Sequence, residues 1–75
     1  MVLVTVKLHG VFRADRFKEE RFEYPPGTTV QDIVEKLQLP DHILGIVMVN
    51  DLHGTTDDQL NNGDILALLP ILDGG

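Results

Sequence analysis

The chain ends in Gly74-Gly75, and the group there that can carry chemistry is the α-carboxylate of Gly75. Such a carboxylate has a pKa of about 3.3–3.7 and is an unreactive anion at neutral pH. To react with a nucleophile it must first gain a leaving group, which a nucleoside triphosphate can supply. Displacement of that group would load the acyl end for delivery into another protein's site. Glycine suits both steps: without a Cβ its backbone passes through narrow channels and adopts either sign of φ. The segment from Pro70 to Gly75 spans at most roughly 20 Å when extended. Nucleotide and magnesium would then belong to an activating partner, since the chain has no Gly-rich phosphate loop of its own and is expected to bind no cofactor.

Two terminal glycines alone are a weak signal, arising by chance in about one chain in 200 at an average glycine frequency of roughly 7%. Their weight depends on the residues before them. Of these, Leu69, Pro70, Ile71, Leu72 and Asp73 are the candidate partner contacts. Leu66 and Leu68 are expected in the core, whereas Ile71 and Leu72 lie beyond the last strand and present apolar groups suited to docking.

Other chemistry-bearing residues form no comparable pattern. His9, His42 and His53 have separations that match no compact metal motif. Asp57-Asp58 and Asp64 lack the surrounding spacing of a calcium loop. Asn62-Gly63-Asp64 is turn chemistry. No metal site is expected, nor a Ser–His–Asp arrangement.

The elements that must position the tail follow from periodicity. Val2, Val4, Val6 and Leu8 alternate with Leu3, Thr5 and Lys7, the period-two pattern of a half-buried strand. Gly10 allows a bend, Arg13 to Arg16 is a polar connection, and a second strand runs near Lys18 to Tyr24 until Pro25-Pro26-Gly27 stops it. Thr29 is a good N-cap with Asp32 three positions later; Thr28 with Gln31 is the alternative register. Val30, Ile33, Val34 and Leu37 form one apolar stripe, so a helix is predicted to run to about Leu37 or Gln38, ahead of Pro40. Ile46 to Val49 is a third strand, Asn50-Asp51 a turn, and Leu52-His53 a brief return strand. Thr55 to Asn62 is a surface connection anchored by Leu60. Ile65 to Leu69, apolar on both faces, is a last strand in the centre of a sheet, and Pro70 closes it.

One amphipathic helix covering one face of a mixed sheet makes a two-layer α+β domain. With first and last strands paired in parallel at the centre, the arrangement is a β-grasp (ubiquitin-like) fold with four to five strands. It occupies residues 1–75 as a single domain with a flexible tail at 70–75.

Three segments carry a family resemblance. Pro26-Gly27-Thr28-Thr29-Val30-Gln31-Asp32-Ile33-Val34 at the helix start, Val47-Met48-Val49-Asn50 before a turn, and Leu60 through Pro70 leading to Gly74-Gly75 resemble the ThiS/MoaD family of sulfur carriers. Leu68-Leu69-Pro70 lies on the MoaD side, the small subunit of molybdopterin synthase. Where those relatives follow the proline with another proline or a small apolar residue, this chain has Ile71-Leu72-Asp73. The resemblance implies a carrier rather than an enzyme. An E1-like adenylating enzyme of MoeB/ThiF type would activate Gly75 beside Gly74, using its own ATP and magnesium, and a thiocarboxylate would donate sulfur for molybdopterin or tungstopterin synthesis. A large synthase subunit of MoaE type is a further implied partner. Sulfur supply to thiamine thiazole or tRNA, and attachment to proteins as a ubiquitin-like modifier, remain open alternatives.

Composition bounds these readings. Seventy-five residues make one small domain, and the absence of cysteine excludes a catalytic thiol and a cysteine-ligated cluster. Twelve acidic against six basic residues give a net charge of −6, which repels phosphate backbones and argues against nucleic acid as a partner. That excess favours solubility and would steer the chain toward a basic partner surface. No run approaches the roughly 18 apolar residues of a membrane span. The first residues have neither the basic lead nor the cleavage site of a signal peptide, so a cytoplasmic protein is expected.

Overall fold

The computed structural model describes residues 1–71. The order is β1 (Val2–Leu8), β2 (Glu19–Tyr24), α1 (Val30–Lys36), β3 (Leu44–Val49), β4 (Leu52–His53) and β5 (Ile65–Pro70), with 3-10 turns at Gly10–Arg13 and Asp41–Ile43. The strands form one five-stranded sheet in the order β2-β1-β5-β3-β4. β1 and β5 pair in parallel in the middle, Val6 opposite Leu66 and Leu8 opposite Leu68, and the other pairings are antiparallel. With α1 on one face, this is the β-grasp that the residue pattern predicts.

Alternation in β1 sorts its side chains as the period-two pattern requires. Val4, Val6 and Leu8 are fully buried, and they meet Val30, Ile33 and Val34 from α1 and Leu66 and Leu68 from β5 in one core. Leu60 is buried with them, as the single apolar anchor of its connection. Each such side chain contributes about 1.5–3 kcal/mol when removed from water.

A helix of seven residues is too short to hold itself, so its ends and its packing decide its stability. At its start all four backbone donors without an intrahelical partner are satisfied. Thr29 and Asp32 form a reciprocal capping box: the Asp32 carboxylate accepts from the Thr29 N–H at 3.0 Å, and Thr29 Oγ1 accepts from the Asp32 N–H at 3.2 Å. Between them, the Val30 and Gln31 N–H groups donate to the carbonyls of Asp58 and Thr56 at 3.0 and 2.9 Å. At the far end, the Arg16 guanidinium donates to the carbonyls of Leu37 and Gln38, the position where a cation also complements the helix dipole.

Three features depart from the sequence expectation. The segment after Gly10 is not merely a polar connection: a 3-10 turn buries Phe12 completely in the core. The third strand begins at Leu44 rather than Ile46, because Gly45 is an extra residue, a bulge, opposite the Pro70–Leu69 step. Most consequentially, Pro70 does not begin a free tail. It is the last residue of β5, paired with Leu44, and the Ile71 N–H donates to the Ile43 carbonyl at 2.6 Å. Proline cannot donate to a ladder, but at the end of a strand the next N–H takes over that task.

Tyr24, the single tyrosine, is nearly buried at the end of β2, and desolvation of its phenolate raises its pKa above the ordinary value of 10.0. A group whose neutral form is favoured by folding stabilises the fold below the unfolded pKa and loses that contribution as pH rises toward the folded one. Denaturant stability is therefore expected to fall above about pH 10, with Tyr24→Phe removing that component of the fall, and absorbance titration of the lone phenol should give a midpoint above that of free tyrosine. Separately, Thr29→Ala breaks the capping box and is expected to cost about 1 kcal/mol in chemical denaturation.

Candidate functional site

The described part of the site is the end of β5. Leu69 and Pro70 are half-buried, Ile71 is 54% exposed, and Leu72, Asp73, Gly74 and Gly75 lie outside the described residues. Leu68 and Leu66 are fully buried, as expected of core positions. The last strand therefore divides its residues by face: the even positions hold the core and the odd positions point to the side that α1 does not cover.

That uncovered side is apolar where β5 and β3 meet. Ile46 stands opposite Leu69 and Met48 opposite Ala67, with Ile65 beside Thr5 of β1. Ile46 and Ile65 are 38% and 41% exposed. Toward β2 the same side turns charged, with Lys7 opposite Glu19 and Thr5 opposite Arg21. The sequence placed β5 in the centre because it is apolar on both faces. Central it is, yet among the described residues nothing covers its outer face. Ile46 and Ile65 were not singled out from the sequence, and the signal was there: apolar residues on both faces of β3 and β5, in a fold that supplies only one covering helix.

Backbone geometry at the base of the tail is tight. A Cβ built on Gly45 would sit 2.8 Å from both the N and Cα of Ile71 and 3.1 Å from the carbonyl carbon of Pro70. One on Gly10, where φ is +57°, would meet Pro70 Cγ at 3.0 Å. Neither glycine was assigned to the site from sequence, although glycine inside an apolar strand run is a sign of a bulge or close backbone approach.

At the opposite end of β5 a polar latch sets its height. Asn50, at φ 53°, accepts from the Ile65 N–H through Oδ1 at 2.9 Å and donates through Nδ2 to Asp64 Oδ1 at 2.9 Å. Asp64 Oδ2 in turn accepts from the Asn61 N–H at 2.7 Å. The Asp64 carboxylate is thereby committed to the Asn62-Gly63-Asp64 turn, and that of Asp58 accepts from the Thr55 N–H in the same way. His9, His42 and His53 lie at the end of β1, in the Asp41–Ile43 turn and in β4 respectively. Among the described residues no three metal-ligating side chains converge and no enclosed pocket is present. What the arrangement can do is present: a rigid body with an apolar face, holding the root of a short C-terminal segment.

A β-grasp body whose last strand precedes Gly74-Gly75 in the sequence defines a ubiquitin-like class. The ThiS family model matches residues 6–75, and the chain belongs to that family, within the ThiS/MoaD group of small ubiquitin-like sulfur carriers. A candidate molybdopterin converting factor subunit 1 from Pyrococcus furiosus is 26% identical, with 96% of this chain and 100% of that one covered at a TM-score of 0.75. Small archaeal modifier protein 1 of H. volcanii is 20% identical over 96% and 100% of the two chains, TM-score 0.76. Subunit 1 in a complex of subunits 1 and 2 of the molybdopterin-converting factor from Helicobacter pylori is 18% identical over 99% and 100%, TM-score 0.66. The last two likenesses concern the fold alone. No curated protein matches the chain significantly.

Removing the Asn50 latch leaves the Ile65 N–H without its acceptor and Asp64 Oδ1 without the Asn50 amide, while Asp64 Oδ2 keeps the Asn61 N–H. Asn50→Ala is expected to lower stability by about 1 kcal/mol, because both hydrogen bonds it removes are exposed to water, read by urea denaturation.

Proposed function

We propose that this chain is a sulfur carrier whose Gly75 carboxylate is adenylated by an E1-like partner, with ATP and magnesium bound there, and then converted to a thiocarboxylate. In the first step a carboxylate oxygen attacks the α-phosphorus of ATP and pyrophosphate leaves. In the second, sulfide delivered by a donor displaces AMP. The thiocarboxylate sulfur then bonds to an acceptor carbon, displacing its leaving group, and water hydrolyses the acyl–sulfur bond, leaving the sulfur on the acceptor and returning the carboxylate. The observation that carries this reading is the extent of the family match, which runs through Gly74 and Gly75 rather than stopping at the folded body. Sulfur for molybdopterin or tungstopterin is the favoured destination, supported by Leu68-Leu69-Pro70 and by the likeness to the Pyrococcus furiosus protein. The carrier works in the cytoplasm, beside the ATP that its activation consumes.

Docking uses the uncovered face. Ile46, Ile65 and Leu69 form an apolar patch on the side of the sheet from which β5 leads to the exposed Ile71, suited to an adenylating enzyme of MoeB/ThiF type and, at a separate stage, to a larger synthase subunit of MoaE type. The subunit 1–subunit 2 complex of the Helicobacter pylori factor supports the second partner. The net charge of −6 would steer the carrier toward basic surfaces flanking such sites.

Incubation with the organism's adenylating enzyme, ATP and a sulfur source is expected to shift the intact mass by the replacement of one oxygen with sulfur. Deletion of Gly75 should abolish the shift, and its absence from the wild-type chain under those conditions would sink the proposal. Ile65→Asp should leave the circular dichroism spectrum and denaturation midpoint close to wild type while weakening capture by the adenylating enzyme by about 2 kcal/mol, measured by titration calorimetry.

A further inference from the structure

Two glycines from the elements flanking β5 close on the point where the chain leaves the sheet. Gly45 is the bulged residue of β3, and its missing side chain leaves room for the backbone of Pro70 and Ile71, whose atoms lie 2.8–3.1 Å from where a Cβ would be. Gly10, at the turn leaving β1, makes the equivalent room for the ring of Pro70. Between them the Ile71 N–H is tied to the Ile43 carbonyl. Ordinary contact for a Cβ begins at 3.4 Å, and the atoms crowding position 45 are backbone rather than the end of a flexible side chain. A methyl group there must push the root of the tail away or tear it from Ile43.

We propose that Gly10 and Gly45 form a collar that fixes the position and direction in which residues 72–75 set out, and that both are positioning residues for loading of Gly75. This rests on the carrier reading above. The consequence of the collar is a short reach. Measured from an anchored Ile71, four further residues extend at most about 14 Å, against roughly 20 Å for an arm hinged at Pro70. An arm that short cannot compensate for a misdirected root by searching. A displacement of about 1 Å at the root therefore reaches the reacting carboxylate, where errors of that size cost up to about a hundredfold in rate. Docking of the body, through the uncovered face, is unaffected.

The test is ATP–pyrophosphate exchange by the organism's adenylating enzyme, with Gly45→Ala, Gly10→Ala and Gly63→Ala as alternative carriers. Gly63 also has a positive φ, +90°, but nothing lies within 4 Å of its Cβ position, so its substitution strains a turn without touching the collar. Gly45→Ala and Gly10→Ala are expected to lower kcat at least tenfold with the carrier's KM within twofold of wild type, whereas Gly63→Ala loses stability and keeps its kcat. In amide hydrogen exchange, Ile71 should be protected in the wild type and exposed in Gly45→Ala, while the amides of β1 stay protected in both. Wild-type kcat in a folded Gly45→Ala carrier, or an unprotected Ile71 amide in the wild type, overturns the collar. If Gly45→Ala does not fold, the kcat of Gly10→Ala read against Gly63→Ala decides. A wild-type chain that supports no exchange at all overturns the carrier reading instead, and the Ile71 amide still reports on the collar by itself.

Discussion

The parallel pairing of β1 with β5 is the contact on which the rest of this structure depends. A chain of 75 residues without cysteine has no covalent staple, and such a small domain buries only about 60% of the surface it exposes when unfolded. Its core must therefore be dense where it exists. Val6 and Leu8 meet Leu66 and Leu68 at the middle of the sheet, all four fully buried, and the stripe Val30, Ile33, Val34 lies over them. Because the last strand is central, the chain leaves the sheet between two neighbours rather than from an edge. The rooted tail, the glycine collar and the apolar outer face all follow from that placement.

The connection from Thr55 to Asn62 shows how little of so small a protein can be spare. It carries Leu60 into the core, and its carbonyls at Thr56 and Asp58 complete the N-terminus of α1. A helix of two turns could not otherwise afford unpaired donors near a dry core. One stretch of irregular chain thus joins the sheet, the helix and the approach to β5.

Most of the fold was legible in the residues. Alternation in β1, the continuous apolar run of β5, the i, i+3, i+4 stripe of α1, the Thr29–Asp32 cap and the Asn62-Gly63-Asp64 turn are local signals, and local geometry obeyed them. Phe12 was not legible, because a single aromatic residue in a polar stretch shows no period and its burial depends on what folds over it. Pro70 was misread for a related reason: proline does end the donor ladder, but whether the chain is released there depends on Ile43, nearly thirty positions earlier. Of the candidate site, Leu69, Pro70 and Ile71 were named from sequence through their place before Gly74-Gly75. Gly10, Gly45, Ile46 and Ile65 were not, since their roles arise only when β3 and β1 are set on either side of β5.

That central pairing also bears on how the protein comes into being. Val6 finds Leu66 sixty positions later, so the central pairing of the sheet closes only once nearly the whole chain is available. Contacts of such long sequence separation are slow to close, and until then the valine-rich first strand has one bare edge in the crowded cell. A first strand left waiting in that state can pair with a second copy of the chain instead of with its own last strand.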